Sequence, residues 1–401
     1  MQSQRANNAT LFSIFVFMFL IGSENFLISP VLPSIATSLG VPITSAAQTV
    51  SVYMIVYAIF VPFLGTMSDR FGRQRLISAG AVVFLLGNVL SSGANTLIGL
   101  LLARALTSIG AAMAGPSMWA FIGDTTHSSI RGRVMGWVMA SFSLGQIMGV
   151  PIGAYISNVI GWKYAFCTIG GVTLILCPII YYQINLYPIR KMMQTDSLLS
   201  SSFQVFVNKE ICLALLTSLF WAGASFGSFT YLGVFLKTKY GFSISILGYV
   251  TGLVGIGSAV GGLVAGKIVD FGRKRKLKES VLLGLWVFLL GAAIFGLTHT
   301  YTIWVNLIYL LIWFFASGAF IATQQTMLTL INPNLKARSI SWSNSFMYIG
   351  TAAGVWVAGQ LTQNDQWDLI WCSAFVFSLL GIICTVILSY IRHDEISEVS
   401  T

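Results

Sequence analysis

The stretch GTMSDRFGRQR at residues 65–75 decides how the chain is organised, because a similar stretch, GKIVDFGRKRK, occurs at residues 266–276. In both stretches an aspartate follows the first glycine by four residues, and a Gly-Arg pair comes within the next four residues. The two aspartates are 201 residues apart, and the motifs GQIMG (145–149) and GTAAG (350–354) are 205 residues apart. These nearly equal offsets indicate two related halves in one chain.

The amino-acid composition indicates whether water or lipid surrounds these halves. Hydrophobic residues make up 56% of the 401 positions and charged residues only 8%, whereas a soluble protein carries about 25% charged residues. A chain with so little polar surface needs lipid around it, so we predict an integral membrane protein. The five cysteines lie in apolar runs without metal-ligand spacing, and the three histidines fall in predicted loops or the tail. No metal site and no cofactor are therefore predicted.

A membrane helix needs about 20 mostly apolar residues, and twelve such runs can be counted. The predicted fold is all-α, with twelve transmembrane helices in two pseudo-symmetric six-helix bundles. The predicted domains are an N-terminal bundle (1–186), a cytoplasmic linker (187–210), a C-terminal bundle (211–391) and a cytoplasmic tail (392–401). The predicted spans are 11–34, 46–66, 76–95, 97–122, 134–158, 162–186, 211–236, 243–266, 279–298, 301–331, 338–362 and 367–391.

The basic residues predict the orientation of these spans. With a cytoplasmic N-terminus, 18 of the 22 Lys and Arg residues fall in cytoplasmic segments, three fall on the opposite side, and Arg104 remains inside the fourth span. Because cytoplasmic loops are enriched in Lys and Arg, we predict a cell-membrane protein with both termini in the cytoplasm. This asymmetry also explains the net charge of +10, so no nucleic-acid partner is predicted.

The first copy of the repeated motif has a physical interpretation. Gly65 lets the second helix approach a neighbour closely. Asp69 can accept hydrogen bonds from a helix N-terminus or pair with an arginine across the bundle. Arg70, Arg73 and Arg75 lie at the predicted cytoplasmic surface. The alternative is a basic loop that only sets topology, although topology requires charge and not a matched glycine and aspartate.

The residues of this motif resemble a known family. GTMSDRFGRQRLI (65–77) is similar to the loop 2–3 signature G-x-L-a-D-r-x-G-r-k-x-x-l of the major facilitator superfamily (MFS), and LLARALTSIGAA (101–112) resembles its R-x-x-q-G-x-g motif. The resemblance implies the two-bundle fold described above and a conformational-switch motif near the cytoplasmic surface. The residues assigned to that switch are Gly65, Asp69, Arg70, Gly72, Arg73, Asp124 and Arg131.

A third motif indicates the direction of transport. GQIMGVPIGA (145–154) resembles the antiporter motif G-x-x-x-G-P-x-x-G-G, with the proline displaced by one position. Its residues are Gly145, Gly149, Pro151 and Gly153. Together with GWKYAF (161–166), this variant is most similar to bacterial sugar-efflux and arabinose-efflux-like exporters of the twelve-helix drug:proton antiporter group. The resemblance implies efflux of small molecules such as drugs or sugars by a monomer.

Glu24 interrupts the apolar stretch FLIGSENFLISPVLP (19–33), and it is the only acidic residue placed deep in a predicted span. Arg104 is the only basic residue at such depth. At about 1.5 Å per residue, Glu24 lies roughly 20 Å from the inner edge and Arg104 roughly 10 Å from the outer edge. In a core of about 30 Å these depths coincide. The two deep charges are therefore predicted to lie at one level.

This placement indicates a role in proton coupling. Burial favours the protonated form of a carboxyl group, whereas a neighbouring arginine favours the carboxylate. Alternating access can change which influence dominates, so we predict that Glu24 carries the proton and that Arg104 is its electrostatic partner. The alternative is a static salt bridge that only orients the first and fourth spans.

Polar and aromatic residues in the spans are candidates for a substrate cavity. A cavity with one acid, one base, amides and aromatic faces suits neutral or weakly cationic amphiphiles, or sugars stacked on rings. Each aromatic candidate has packing as its alternative, and each amide has interhelical hydrogen bonding. The candidates are Asn25, Gln146, Trp221, Phe226, Tyr231, Gln324, Gln325, Asn344 and Tyr348.

Three functions are compatible with these patterns. The leading prediction is a proton-coupled secondary transporter that exports small organic molecules by alternating access. An importer that works by proton symport would keep the same architecture. A membrane receptor or scaffold that does not transport belongs to a different class. An enzyme is not predicted, because the sequence has no phosphate-binding glycine loop and no metal-ligand spacing, and apart from the Glu24/Arg104 pair it shows no cluster of catalytic groups at one depth.

Overall fold

The computed structural model describes residues 7–126, 128–187, 203–274, 278–332, 335–362 and 366–398, and all regular secondary structure in these ranges is helical. The first half contains α1 (Asn8–Leu39), α2 (Ile43–Phe71), α3 (Arg73–Gly93), α4 (Leu97–Thr125), α5 (Ser128–Leu144), α6 (Val150–Val159) and α7 (Trp162–Asn185). The second half contains α8 (Lys209–Ala222), α9 (Ser228–Tyr240), α10 (Ile244–Lys274), α11 (Glu279–His299), α12 (Ile303–Ile331), α13 (Lys336–Leu361) and α14 (Ile370–Glu398). Short 3-10 helices cover Gln204–Val207 and Trp367–Leu369.

Local sequence sets several of the helix ends. The Asn7 side chain accepts a hydrogen bond from the Thr10 amide at 2.9 Å and caps α1, because the first amides of a helix have no partner within it. The helix ends at Gly40, whose φ of 62° lies in the left-handed region that glycine adopts without strain. Asn208 caps α8 in the same way, accepting from the Ile211 amide at 3.0 Å.

Two long helices contain a π-helical turn. Gly145–Gly149 connects α5 with α6, and Gly223–Gly227 connects α8 with α9. The helix continues through both turns, so that each of these pairs is one predicted span. Turns of this kind arise where a helix accommodates a local constraint, often at functional sites.

Eleven helices in the described part of the chain are long and apolar enough to cross a membrane, and each coincides with a predicted span. The remaining predicted span, 338–362, corresponds to α13. This helix has 26 residues, which at about 1.5 Å per residue exceeds a hydrocarbon core of about 30 Å. It is less apolar than the others because it carries serines that are buried inside the protein, such as Ser339 and Ser345. The all-α membrane fold predicted from the sequence is confirmed.

The described residues form two compact units. The N unit comprises those within Met1–Leu198 and Leu236–Gly252, and the C unit comprises those within Leu199–Phe235 and Leu253–Thr401. Most of the predicted linker (187–210) lies outside the described residues, so the domain boundaries stay a prediction.

The repeated glycine motifs make the same contact in each unit. In the N unit, Gly145 lies so close to the Phe19 carbonyl oxygen of α1 that a Cβ there would overlap it. In the C unit, Gly350 lies equally close to the Leu219 carbonyl oxygen of α8. Phe19 and Leu219 are 200 residues apart, close to the 205-residue spacing of the two glycines. Each motif therefore lets two helix backbones cross at close range, as small residues do in membrane proteins.

Candidate functional site

The two deep charges of the sequence form an ion pair in the N unit. Arg104 Nη1, on α4, contacts Glu24 Oε1, on α1. The Arg104 side chain is 1% exposed and the Glu24 side chain 0% exposed, so water does not screen the pair. Glu24 Oε2 and Arg104 Nε have no hydrogen-bond partner among the described residues. The geometry brings together the two residues predicted to couple protons, and it leaves each with unused hydrogen-bonding capacity.

Aromatic rings hold the guanidinium of Arg104 in place. The Tyr53 ring centroid lies 4.6 Å from Arg104 Cζ, and the Phe166 ring centroid lies 5.8 Å from it. Such rings attract a cation through their electron-rich faces, most strongly where water is excluded. The Ser108 hydroxyl donates to the Tyr53 carbonyl oxygen at 2.6 Å and ties α4 to α2. The charge of Arg104 is thus stabilised by one carboxylate and two rings.

The C unit has a neutral counterpart of this pair. Ser225, in the π turn between α8 and α9, comes 201 residues after Glu24, and Trp313, on α12, comes 209 residues after Arg104. Trp313 Nε1 donates to Ser225 Oγ at 3.0 Å, and Ser317 Oγ lies 2.8 Å from Ser225 Oγ. The corresponding helices are joined in both units, but only the N unit uses charges. Neither Ser225 nor Trp313 is among the residues predicted from the sequence, although the repeat offset of about 200 residues points to their contact.

The C unit also contains a cleft between α8, α12 and α13, here called the C-unit cleft. Four of the predicted cavity residues line it: Trp221, Gln324, Gln325 and Asn344. Its other lining residues, which the sequence did not single out, are Ser218, Phe320, Ile321, Ile340, Ser343 and Met347.

The remaining cavity candidates lie elsewhere. Phe226 packs edge-on against Trp221, with ring centroids 5.3 Å apart. The Tyr231 hydroxyl donates to the Val355 carbonyl oxygen at 3.1 Å, which joins α9 to α13. Tyr348 is half-buried on α13 and is not part of the cleft lining. In the N unit, Asn25 Oδ1 is buried without a hydrogen-bond partner among the described residues, and Gln146 is buried in the first π turn.

Part of the predicted switch motif forms a bridge between helices. Arg73 Nη1, at the start of α3, lies 2.8 Å from Asp124 Oδ2, at the end of α4. Gly72, with a φ of 98°, makes the turn from α2 into α3 in a conformation that favours glycine. Arg70 is exposed, with its Cζ 5.9 Å from the Phe71 ring centroid. The three other assigned residues are not among those whose surroundings the structure describes; they are Gly65, Asp69 and Arg131.

Comparisons with known proteins agree with this architecture. The MFS-type transporter YceJ of Bacillus subtilis (strain 168) is 26% identical over 352 residues, covering 88% of this chain and 89% of that protein. Multidrug resistance protein 3 of the same organism is 20% identical over 397 residues, covering 85% of this chain and 77% of that protein. The crystal structure of a D-xylose-proton symporter matches with a TM-score of 0.74 at 16% identity, covering 95% of this chain and 96% of that chain. At this identity the likeness shows the fold.

The family comparison covers most of the chain. A model described as Major Facilitator Superfamily matches residues 14–330, which include the ion pair and both copies of the repeated motif. This family and the relatives above are transporters and not enzymes. The chain is a multi-pass membrane protein that belongs to the Major Facilitator Superfamily.

Proposed function

We propose that this transporter exports small organic molecules in exchange for protons, by alternating access between its two units. The observation that supports proton coupling is the Glu24–Arg104 ion pair, which is wholly buried in the N unit. We further propose that it works as a monomer in the cell membrane with both termini in the cytoplasm, as the distribution of basic residues predicts.

The energetics of a buried charge support a role for this pair beyond architecture. A charged side chain at the centre of a bilayer costs at least about 2.5–3.5 kcal/mol on insertion scales, so ionisable residues at this depth usually mark functional sites. When Arg104 moves away from Glu24, the carboxyl group loses the partner that favours its charged form and takes up a proton. When Arg104 returns, the proton is released. A helix movement that separates the two side chains would therefore load and unload one proton.

The choice of a proton over a metal cation follows from the surroundings of Glu24. Cations such as Ca²⁺ require about 6–8 oxygen ligands. The described residues contain no group of three or more His, Cys, Asp or Glu side chains that could hold a metal ion. A lone carboxyl group paired with an arginine suits a proton.

Two observations support export over import. The GxxxG segment at 145–149, which resembles an antiporter motif, forms a π turn directly against α1, the helix that carries Glu24. Among the relatives, Multidrug resistance protein 3 is named for resistance to drugs, which export of those drugs would produce.

Everted membrane vesicles that pump protons inward test this proposal. We expect that at least one compound from a panel of antibiotics, dyes, sugars and nucleosides accumulates inside and releases protons, which a pH-sensitive dye reports. Glu24→Gln is expected to lower this proton release by about 100-fold or more, because the sequence places no second carboxyl group deep in a predicted span. Efflux of the compound from such vesicles, driven by the same gradient, would instead indicate import by symport.

Two control variants separate coupling from folding. Glu24→Asp keeps a carboxyl group and is expected to retain part of the exchange. Glu279→Gln neutralises another buried carboxyl group, at the start of α11, and is expected to retain all of it. Gel filtration checks that each purified variant is folded. Undiminished proton exchange in Glu24→Gln would contradict the proposal and leave the pair as a static salt bridge.

A further inference from the structure

We infer that the C-unit cleft binds an uncharged part of the transported molecule, one that bears a hydroxyl or amide group beside an apolar surface. This inference names a substrate class. It rests on the proposed function in one respect, namely that the transported molecule binds in this cleft. It follows from the uncharged lining, the unpaired polar atoms, the rigidity and the apolar walls of the cleft.

The described lining of the C-unit cleft carries no charge. None of the described residues that line the cleft is ionised at neutral pH. In the N unit, the deep carboxylate of Glu24 is already paired with Arg104. A cationic or anionic group placed in the cleft would lose its hydration without meeting a counter-charge, which is far more costly than burying a neutral polar group. The cleft therefore favours an uncharged group.

The cleft lining also contains a hydrogen-bond donor and an acceptor that lack partners among the described residues. Trp221 Nε1 and Gln324 Oε1 are buried atoms of the cleft lining, and neither has a hydrogen-bond partner among the described residues. The Trp221 side chain carries a donor only, and the free atom of the Gln324 amide is an acceptor. Buried polar groups are normally paired. A ligand hydroxyl or amide group can supply the acceptor that the indole lacks or the donor that the glutamine lacks.

The side chains of Trp221 and Gln324 are held in place and cannot turn towards another partner. Gln324 Nε2 donates to the Ala214 carbonyl oxygen at 2.6 Å and to Ser218 Oγ at 2.8 Å, which fixes the amide and so the direction of Oε1. Ser218 Oγ is itself 2.8 Å from Ser343 Oγ. The Trp221 ring is stacked on Phe320, with centroids 4.6 Å apart and planes at 10°. A site held in this way loses little entropy when a ligand binds.

Apolar side chains form another part of the cleft wall. Ile321, Ile340 and Met347 lie there, and methionine adapts to irregular ligand shapes. The apolar surface of a bound group would lie against these side chains.

The test compares three probes that differ only in charge. They are p-nitrophenyl β-D-glucopyranoside, the analogue with an ammonium group in place of the primary hydroxyl, and the analogue in which that hydroxyl is oxidised to a carboxylate. Binding to the purified full chain in detergent is measured by equilibrium dialysis, from the absorbance of the nitrophenyl group. We expect the neutral glucoside to bind at least about ten-fold more tightly than either charged analogue. Equal or tighter binding of a charged analogue, or no binding of the neutral glucoside, would overturn the inference.

Two variants assign the binding to this cleft. Trp221→Phe keeps an aromatic ring but removes the unpaired donor, and it is expected to weaken neutral-probe binding by about five- to ten-fold. Trp356→Phe removes an indole donor from an exposed position on α13 and is expected to leave binding unchanged. Gln325→Glu places a carboxylate at an exposed position of the lining and is expected to reverse the preference in favour of the ammonium analogue. Neutral-probe binding that is unaltered in Trp221→Phe and a preference that is unaltered in Gln325→Glu would each contradict the assignment.

This experiment is independent of the transport test. It is an equilibrium measurement at one pH without a proton gradient, so the neutral probe is expected to bind even if transport proves to be uncoupled from protons. Conversely, vesicle exchange that depends on Glu24 but favours cationic compounds would overturn the substrate class while leaving the proposed function intact.

Discussion

Replacing Arg104 with methionine is expected to destabilise the protein by about 3–5 kcal/mol, because the buried Glu24 carboxyl group loses its compensating partner and must either stay charged or take up a proton at a cost in free energy. The Glu24 carboxyl group is wholly buried and forms an ion pair with Arg104 Nη1. The substitution also removes the cation that lies near the Tyr53 and Phe166 rings. Methionine fills a similar length of space without charge, so the loss reports the electrostatics of the pair more than a cavity.

The measurement is thermal unfolding of the purified chain in detergent, carried out as a double-mutant cycle. The double variant Glu24→Gln/Arg104→Met is expected to regain most of the lost stability, since a neutral replacement of a buried ion pair is often tolerated. Arg73→Ala is the comparison variant, because Arg73 and Asp124 are 15% and 32% exposed and an exposed pair contributes only about 0–1 kcal/mol. If Arg104→Met unfolds at the temperature of the unsubstituted protein, the pair contributes no stability.

The meeting of Glu24 and Arg104 could be predicted from the sequence for a simple physical reason. Helices that cross a bilayer advance by a fixed rise per residue, so that position along a span gives depth. Two opposite charges at one depth in a medium of low dielectric attract each other strongly. The repeat was equally accessible, because the glycine spacing reflects a backbone contact that recurs in each unit, between Gly145 and Phe19 and between Gly350 and Leu219.

Which residues face a cavity depends on the rotation of each helix about its own axis, and depth along the span does not determine that rotation. Trp221 and Gln324 line the C-unit cleft, whereas Tyr231 has its hydroxyl on the Val355 carbonyl oxygen. All three are buried in long apolar helices, and the composition of those helices gives no reason to separate them. Phe320, which lines the cleft, resembles any other phenylalanine in a membrane helix, so no signal in the sequence could have selected it.

The π turns lay beyond prediction for a related reason. Both turns begin and end with glycine, at Gly145–Gly149 and Gly223–Gly227, but glycine is frequent throughout the spans, with 39 in the chain. The backbone of another helix lies at contact distance from both turns, as it also does from Gly110 and Gly318 in regular α-helices. Gly145 lies against α1, and Gly223 presents its carbonyl oxygen to Gly354 of α13. The constraint is tertiary, and it becomes visible only when the helices are packed.

Substituting alanine at these crossings is the second large effect that we expect. In Gly145→Ala the new Cβ would overlap the Phe19 carbonyl oxygen, and in Gly350→Ala it would overlap that of Leu219. A backbone atom cannot move aside as a flexible side chain can, so the two helices must separate along their contact. Overpacking typically costs about 1–3 kcal/mol and sometimes more, and we expect about 3 kcal/mol or more for each substitution.

Gly136→Ala is the matched control, because Gly136 lies on α5, the same continuous helix as Gly145, and a Cβ there meets nothing within 4 Å. Since alanine favours a helix over glycine by about 1 kcal/mol, this variant is expected to be equal to or slightly more stable than the unsubstituted protein. Thermal unfolding of all three variants in detergent therefore compares the same Gly→Ala change at two positions where it is expected to lower stability and at one where it is expected to preserve or raise it. Because the two crossings are related by the repeat, Gly145→Ala and Gly350→Ala are expected to lower stability by similar amounts. If both variants unfold at the temperature of Gly136→Ala, the helices do not cross as closely as the structure places them, and the glycine repeat has no role in joining the first and fifth spans of each half.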